Sequence, residues 1–352
     1  MKAAVTTGKR REIVVRDIPK PVIQPGTLLM KTKYCSICGS DLEYLNGDFE
    51  WRGKCGELHA DAILGHEFCA EVVEVGEGIN SWVVGDRATT FGGMQPCGDC
   101  YYCRRGLHYL CYGGRPRQVF YNEHTPDGYG GKGGAFCEYF LARPGGLLKL
   151  PDSVSDEEGA LVEPLNIGVS AIQAAGLKAG DSLAVIGAGK IGIGAMLAAK
   201  ASGLSPVIIT DLVESRLEKA LEMGADAAFN PDKVDVISEV VKLTEEGPDG
   251  VIIAVREGNV LNQAIDMVRR GGIISLVGAV SPTEVNPRLW YMKHLRFVGT
   301  MRFAPILYSL NLIAHRQVNL KPLISAVMPL DDARKAFDSM YSGENIVVLL
   351  KP

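Results

Sequence analysis

Two hydrophobic rhythms divide the chain. Up to about residue 90, short apolar runs with β-branched residues, at 3–6, 12–15, 28–32 and 71–75, alternate with Pro-Gly and Gly-Glu-Gly turns. Runs of that length between turn residues predict strands, here of a barrel-like antiparallel domain. Val83-Val84-Gly85-Asp86-Arg87 predicts one more turn into a strand. Residues 92–137 hold no such rhythm, and irregular stretches of that length tend to be functional. The texture changes at Pro151-Asp152. Asp156-Glu157-Glu158 predicts a helix start with acidic residues in its first turn. Predicted strands at 182–186, 206–210, 227–229, 250–255 and 272–277 then alternate with predicted helices at 189–203, 213–223, 234–244 and 261–268. That alternation means βαβ units on a parallel sheet. Residues 290–352 leave the rhythm and end in a strand at 345–350.

Composition narrows the function classes. At roughly 150 residues per domain, 352 residues predict two domains. Lys plus Arg number 37 against 41 Asp plus Glu, so there is no electrostatic footprint for nucleic acid or anionic lipid. Hydrophobic residues make up 47%, ample for a core, which excludes a disordered chain. No apolar run approaches the ~18 residues of a membrane helix. Met1-Lys2-Ala3-Ala4-Val5, followed by Gly8-Lys9-Arg10-Arg11, lacks the apolar centre of a signal peptide, so a cytoplasmic protein is expected.

Nine cysteines, an odd number without a secretion signal, point away from a disulfide framework. Four are bunched: Cys97-Gly-Asp-Cys100-Tyr-Tyr-Cys103, then seven residues to Cys111. Two C-x2-C steps and a fourth cysteine close by fit one tetrahedral ion, and four thiolates with no open position make a structural zinc site. An iron–sulfur cluster also takes four cysteines. No Cys-Pro follows the run, and nothing else in the chain supports electron transfer.

The first βα turn reads Val185-Ile186-Gly187-Ala188-Gly189-Lys190-Ile191-Gly192, a G-x-G-x-x-G between a predicted strand and a predicted helix. Gly187 permits the tight turn, Gly189 lets backbone approach a pyrophosphate, and Gly192 lets helix pack on strand. The helix N-terminus presents N–H groups and its positive dipole end to phosphate. Asp211 ends the second strand, 19 residues after Gly192. A carboxylate there accepts ribose hydroxyls and repels a 2′-phosphate, favouring NAD over NADP, although Arg216 nearby is a residue type that accommodates the phosphate. Lys190, Ile191 and Val277, at the end of the 272–277 strand, complete the expected cofactor contacts.

A second set of metal-ligand types lies outside the cysteine loop: Cys35-Ser-Ile-Cys38-Gly-Ser40-Asp41, Gly65-His66-Glu67 and Glu163-Pro164. Cys, His and a carboxylate are the ligands of a catalytic zinc with one position open. With the cysteine loop, the glycine turn and Pro329-Leu through Ala336-Phe, these motifs resemble, over essentially the whole chain, the zinc-containing medium-chain dehydrogenase/reductase family of alcohol, polyol and threonine dehydrogenases.

The resemblance implies a GroES-like, mainly β catalytic domain at 1–152 and 293–352, and an α/β Rossmann domain at 153–292, with the active site in the cleft between them. It implies two zinc ions per chain. Cys38, His66 and Glu163 would hold the catalytic one, Glu163 directly or through water, with Glu67 as an adjacent, exchanging carboxylate. Asp41 would hydrogen-bond the far ring nitrogen of His66, and Ser40 would take the proton of the substrate hydroxyl. Where many relatives end this relay with His, the chain has Glu43, either a proton carrier or a solvated charge. Cys35, Cys55, Cys69 and Cys137 read as packing residues. Glu163-Pro-Leu and Met301-Arg302-Phe303 resemble the polyol branch, with Arg302 and Glu163 toward the substrate. The 112–134 stretch, with Arg115, Arg117, Tyr121, His124 and Tyr129, covers the pocket or forms a solvated or interface loop; Phe49 and Trp51 wall the cleft or simply pack. Arg256 stands where a small residue is usual near the nicotinamide ribose.

The implied activity is hydride transfer from a secondary alcohol of a polyol, sugar or sugar-like substrate to NAD. The alternatives are L-threonine 3-dehydrogenase, a simple secondary-alcohol dehydrogenase, and a non-catalytic NAD-binding protein on the same scaffold. The implied partners are a small polar alcohol or ketone and other copies of the chain, as a homodimer or homotetramer, with no nucleic acid or membrane.

Overall fold

The computed structural model describes residues 1–48, 50–51, 54–55, 58–90, 97–111, 134–278, 280–300 and 304–352, the side chains of 50–51 and 54–55 apart. From the N-terminus come β1 (Lys2–Thr7), β2 (Ile13–Asp17), β3 (Leu28–Ser36), α1 (Gly39–Asn46), β4 (Glu50–Trp51), β5 (Lys54–Cys55), β6 (Ala60–Ile63), β7 (Glu67–Val75), β8 (Arg87–Thr90), β9 (Tyr139–Ala142), β10 (Leu147–Lys149), α2 (Asp156–Gly159) and α3 (Val162–Ala175). Next come β11 (Leu183–Ile186), α4 (Lys190–Ala201), β12 (Val207–Thr210), α5 (Glu214–Glu222), β13 (Ala227–Phe229), α6 (Val236–Thr244), β14 (Gly250–Ile253), α7 (Val260–Met267), β15 (Ile273–Leu276), α8 (Pro287–Lys293), β16 (Arg296–Gly299) and α9 (Ile306–Ala314). The last elements are β17 (Ile324–Pro329), α10 (Ala333–Tyr341) and β18 (Val347–Lys351).

These elements form two compact units, Met1–Glu163 with Ile324–Pro352, and Pro164–Leu323. In the first, strands run in the order β10-β8-β7-β3-β18-β17, with β9 also on β3, beside a smaller sheet β2-β1-β6. β18 pairs antiparallel with β3, so the C-terminal residues complete a sheet begun near the N-terminus. Phe68, Phe136, Phe337, Leu28 and Met30 fill the core, with Phe136 edge-on to Phe337 at 5.7 Å. β3 and β7 pair antiparallel from Leu28↔Val75 to Ser36↔Glu67. Each runs nine residues, four longer than the 28–32 and 71–75 runs expected.

In the second unit every strand pairing is parallel, in the order β13-β12-β11-β14-β15-β16. β11, β12 and β14 are buried along their whole length, which is why they read as continuous apolar runs rather than alternations. The chain reverses direction across the sheet between β11 and β14, the switch point where doubly wound sheets bind ligands. α3 and α4 approach closely: a Cβ on Gly168 would lie 2.5 Å from the Ala195 nitrogen.

The compact units divide at 163/164 and 323/324, whereas the sequence expects domain boundaries at 152/153 and 292/293. α2 lies with the first unit, where a Cβ on Gly159 would lie 2.5 Å from Leu150 Cδ1 and 3.2 Å from Cys69 Cβ. β16 continues the parallel sheet beyond residue 292, pairing Ile273↔Arg296 through Leu276↔Gly299. It is a four-residue strand with exposed ends, too short to carry a periodic signal. Among the described residues, no helix is long and apolar enough to cross a membrane.

Candidate active site

The β3–β7 register builds the first cluster. Ser36 ends β3 opposite Glu67, which begins β7. Cys38 follows two residues after Ser36, and His66 precedes Glu67. The result is one Cys, one His and one carboxylate whose ligand atoms all lie within 4.8 Å of one another. Cys38 is half-buried and Glu67 is fully buried. Gly65 sets the approach, with φ +94°; a Cβ there would lie 2.8 Å from Cys35 Sγ and 2.9 Å from the Phe136 ring. Sequence reasoning gave Gly65 no role, although its place directly before His-Glu was a readable signal.

α1 begins at this cluster. Asp41, 2% exposed, accepts the Cys38 N–H through Oδ2 at 2.9 Å, while its Oδ1 faces His66 Nδ1 at 3.7 Å. That separation is an ion-pair distance, longer than the hydrogen bond expected. A carboxylate on the Nδ1 side favours the proton there and leaves Nε2 as the nitrogen for an ion. The Ser40 hydroxyl is buried and, among the described residues, has no hydrogen-bond partner. Glu43 is half-buried in the same helix. Glu163 is buried in the first turn of α3, outside the Cys38–His66–Glu67 group.

The second cluster joins Cys97, Cys100, Cys103 and Cys111. Sγ separations are 3.9 Å for Cys97–Cys103 and 3.7 Å for both Cys100–Cys111 and Cys97–Cys111. Sulfurs at the corners of a tetrahedron about 2.3 Å from a central zinc lie about 3.8 Å apart, so the spacing fits that ion. It is far from the ~2 Å of a disulfide. Backbone N–H groups of Cys97, Cys100 and Cys103 point at Cys111, Cys97 and Cys100 sulfurs at 3.3–3.5 Å, favourable dipoles for thiolates. The Cys97 thiol is pushed up to about 12, first by its hydrogen bond with the Asp99 carboxylate. Burial leads the rise at Cys103. Such a cluster ionises fully only around a cation. Cys35, Cys69 and Cys137 are buried and not in disulfides, and burial holds the Cys69 and Cys137 thiols high, as packing residues require.

The glycine turn lies between β11 and α4. Gly187 has φ +104°, and a Cβ there would lie 2.5 Å from Val255 Cγ1. A Cβ on Gly192 would lie 1.7 Å from the Gly187 carbonyl oxygen. Gly189, the N-cap of α4, faces open space, and a Cβ there would meet nothing within 4 Å. The half-buried helix N-terminus and the bare backbone at Gly189 fit a diphosphate. Asp211 accepts the Ala188 N–H at 2.7 Å and the Val213 N–H at 2.9 Å, with Arg216 Nη1 3.9 Å from its Oδ2. Lys190 and Ile191 are half-buried in the first turn of α4. The N–H of half-buried Val277 donates to the Ile253 carbonyl at 3.2 Å, just past the end of β15. Arg256 is exposed beyond β14, its carbonyl accepting the Ser281 N–H at 2.7 Å. Arg302, Phe49, and Arg115, Arg117, Tyr121, His124 and Tyr129 of the 112–134 stretch lie outside the described residues, as do the side chains of Trp51 and Cys55.

Residues 24–152 match the alcohol dehydrogenase GroES-like domain, and residues 191–313 match the zinc-binding dehydrogenase family. The chain is 33% identical to a sorbitol dehydrogenase of Halalkalibacterium halodurans, covering 100% of this chain and 99% of that protein. Among solved structures it resembles 2R,3R-butanediol dehydrogenase from Bacillus subtilis, with a TM-score of 0.85 and 30% identity over 100% and 99% of the two chains. It also resembles a zinc-binding dehydrogenase from Sinorhizobium meliloti bound to NADP, with a TM-score of 0.86 and 27% identity over 100% and 99%.

Proposed function

The chain belongs to the zinc-containing medium-chain dehydrogenase/reductase family, and on that premise we propose that it oxidises a secondary alcohol of a polyol or sugar-like substrate with NAD, and reduces the matching ketone in reverse. The observation that carries this reading is the meeting of Cys38, His66 and Glu67 at the joined ends of β3 and β7. These three would hold the catalytic zinc, with Glu163 as a further carboxylate of the site. The four-cysteine cluster would hold a second, structural zinc. Zinc supplies a Lewis acid that lowers the pKa of an alcohol, and NAD supplies the hydride acceptor.

The chain's own residues supply the rest. Asp41 fixes the His66 ring through Nδ1. Ser40 brings a buried hydroxyl in need of a partner, which a substrate hydroxyl provides, and it takes the substrate proton. Glu43, three residues further along α1, receives that proton. Arg302 recognises further substrate hydroxyls. The whole acts on a small polar alcohol–ketone pair, as a homodimer or homotetramer in the cytoplasm.

The test is nicotinamide reduction by zinc-loaded protein across polyols, aldoses, sugar acids, inositols, threonine and simple secondary alcohols. Turnover concentrated on polyhydroxylated compounds is expected. Turnover of threonine or plain alcohols alone would overturn the polyol reading.

Asp211 supports NAD over NADP, because its carboxylate at the end of β12 repels a 2′-phosphate. Arg216, 3.9 Å away, is the residue a phosphate would recruit once that charge is gone. Asp211→Ala is therefore expected to shift the NAD/NADP ratio of kcat/KM toward NADP by at least about tenfold, removal of a repulsion worth ~1.4 kcal/mol or more. The kinetics of both cofactors with one alcohol check it, and an unchanged ratio would show that selectivity lies elsewhere.

A further inference from the structure

The side chain of Ser40 does nothing to hold itself in place. Its hydroxyl is buried and, among the described residues, makes no hydrogen bond. Where it sits is therefore set by the backbone of α1, and whatever fixes that backbone fixes the hydroxyl. The first turn is tied at Asp41, which accepts the Cys38 N–H at 2.9 Å and faces His66. The far end is tied to two distant parts of the same compact unit. Tyr341, the last residue of α10, donates its hydroxyl to the Leu42 carbonyl at 3.2 Å. Arg11, in the turn between β1 and β2, donates its N–H to the Leu45 carbonyl at 2.7 Å and its Nε–H to Asn46 Oδ1 at 2.7 Å. The two anchors also meet each other, with the Arg11 guanidinium over the Tyr341 ring, 4.7 Å from its centre. Burial raises the Tyr341 pKa above the usual phenol value, so the hydroxyl stays a donor. Arg11 has φ +54°, a conformation that a residue with a Cβ holds only where its surroundings impose it.

Ending the helix asks for less. Gly47, at φ +73°, already closes α1, its N–H turned back on the Glu43 and Tyr44 carbonyls. The Arg11 N–H satisfies one of the four terminal carbonyls that a helix leaves without a donor. The Leu42 carbonyl is not one of those four, and the Asn46 side chain is no part of the helix ladder. The Tyr341 hydroxyl and the Arg11 side chain reach across 299 and 35 positions of sequence to make contacts that capping does not require. The eight residues of α1 span about 12 Å, so a tilt at its Leu42–Asn46 end is carried to Ser40 as a shift.

We propose that Tyr341 and Arg11 are positioning residues for proton transfer: together they seat the end of α1 so that its first turn holds the Ser40 hydroxyl where the substrate proton leaves. The proposal rests on the reading of Ser40 as the group that takes that proton. The experiment compares the unsubstituted protein with Tyr341→Phe, Arg11→Gly and Ser40→Ala, and with each of the first two combined with Ser40→Ala. Tyr341→Phe keeps the ring and loses only the hydroxyl. Arg11→Gly keeps the backbone bond to Leu45, suits the positive φ, and loses only the side chain. The readouts are the rate of NAD reduction in a single turnover of zinc-loaded protein with the fastest alcohol of the panel, zinc content, NAD affinity, and amide hydrogen exchange across α1.

Tyr341→Phe and Arg11→Gly are each expected to slow the single turnover about three- to tenfold, less than the roughly hundredfold that a 1 Å misplacement can cost. Zinc content and NAD affinity are expected to stay unchanged, and amide exchange to quicken along α1 as far as Asp41. With Ser40→Ala already present, either substitution is expected to slow the turnover by less than about twofold, because residues that act through one group do not add. An unchanged rate in either single variant, losses that multiply with that of Ser40→Ala, a loss of zinc, or exchange unaltered at Asp41 would overturn the positioning role and leave the proton-transfer reading standing. If Ser40→Ala turns over as fast as the unsubstituted protein, or no alcohol is turned over, the reading of Ser40 fails and the proposal with it.

Discussion

Cys38→Ala is expected to lower kcat/KM by at least about a thousandfold while leaving one zinc ion per chain, where two are proposed for the unsubstituted protein. The magnitude follows from the chemistry at stake. Lewis-acid stabilisation of a developing oxyanion is worth several kcal/mol, and each 1.4 kcal/mol is a factor of ten. Cys38 supplies the one sulfur of its cluster, and a thiolate anchors zinc more strongly than neutral imidazole. Alanine at 38 keeps the backbone N–H that Asp41 accepts, so the start of α1 is preserved. The cysteine loop at 97–111 draws on none of these residues and keeps its own ion. Metal analysis and steady-state kinetics on one preparation check both halves. Loss of both ions would mean that the clusters are coupled, and full activity with one ion would place the chemistry away from Cys38.

The donors of that cluster were legible because ligand chemistry is local: Cys38, His66 and Glu67 stand in short motifs whose residue types betray them. What brings them together was not. The expected strands at 28–32 and 71–75 stopped short of the motifs. β3 runs on past Lys33, where the register shifts between Thr32 and Tyr34, to Ser36, and β7 begins at Glu67 itself, so an irregularity breaks the alternation just where pairing resumes. That extra length carries Ser36 to Glu67 and closes the site. The parallel sheet was legible for the opposite reason, since strands buried on both faces leave unbroken apolar runs such as 183–186 and 207–210. β16 escaped because an edge strand of four residues with exposed Arg296 and Gly299 has too little buried surface to mark itself. The hydrogen bonds that join Asn166 to Ala304 and Ser309 were invisible in principle: these partners lie 138 and 143 positions from Asn166, and no local pattern links them to it.

Gly192→Ala and Gly189→Ala, three residues apart in one turn, are expected to fail in different ways. At 192 the added methyl would sit 1.7 Å from the Gly187 carbonyl oxygen. The turn cannot yield, because the Gly187 N–H is bound to the Thr210 carbonyl at 2.7 Å and Gly187 itself abuts Val255. α4 must therefore move off β11, an overpacking cost of about 1–3 kcal/mol or more. Gly192→Ala thus lowers the thermal midpoint by several degrees, roughly 2–4 °C per kcal/mol in a chain of this size or somewhat less, and weakens NAD binding at least about a hundredfold, ~2.7 kcal/mol. At 189 the methyl meets no protein atom within 4 Å, and the residue lies in an ordinary extended conformation, so the fold tolerates it. What the methyl enters is the space over the α4 N-terminus, where a pyrophosphate would draw close to backbone N–H groups. Gly189→Ala therefore leaves the thermal midpoint of the cofactor-free protein unchanged and weakens NAD binding about as strongly as Gly192→Ala. Thermal denaturation with and without NAD, beside direct titration of the cofactor, distinguishes the two. Undiminished NAD binding by Gly189→Ala would show that this turn does not cradle the diphosphate, whatever its likeness to turns that do.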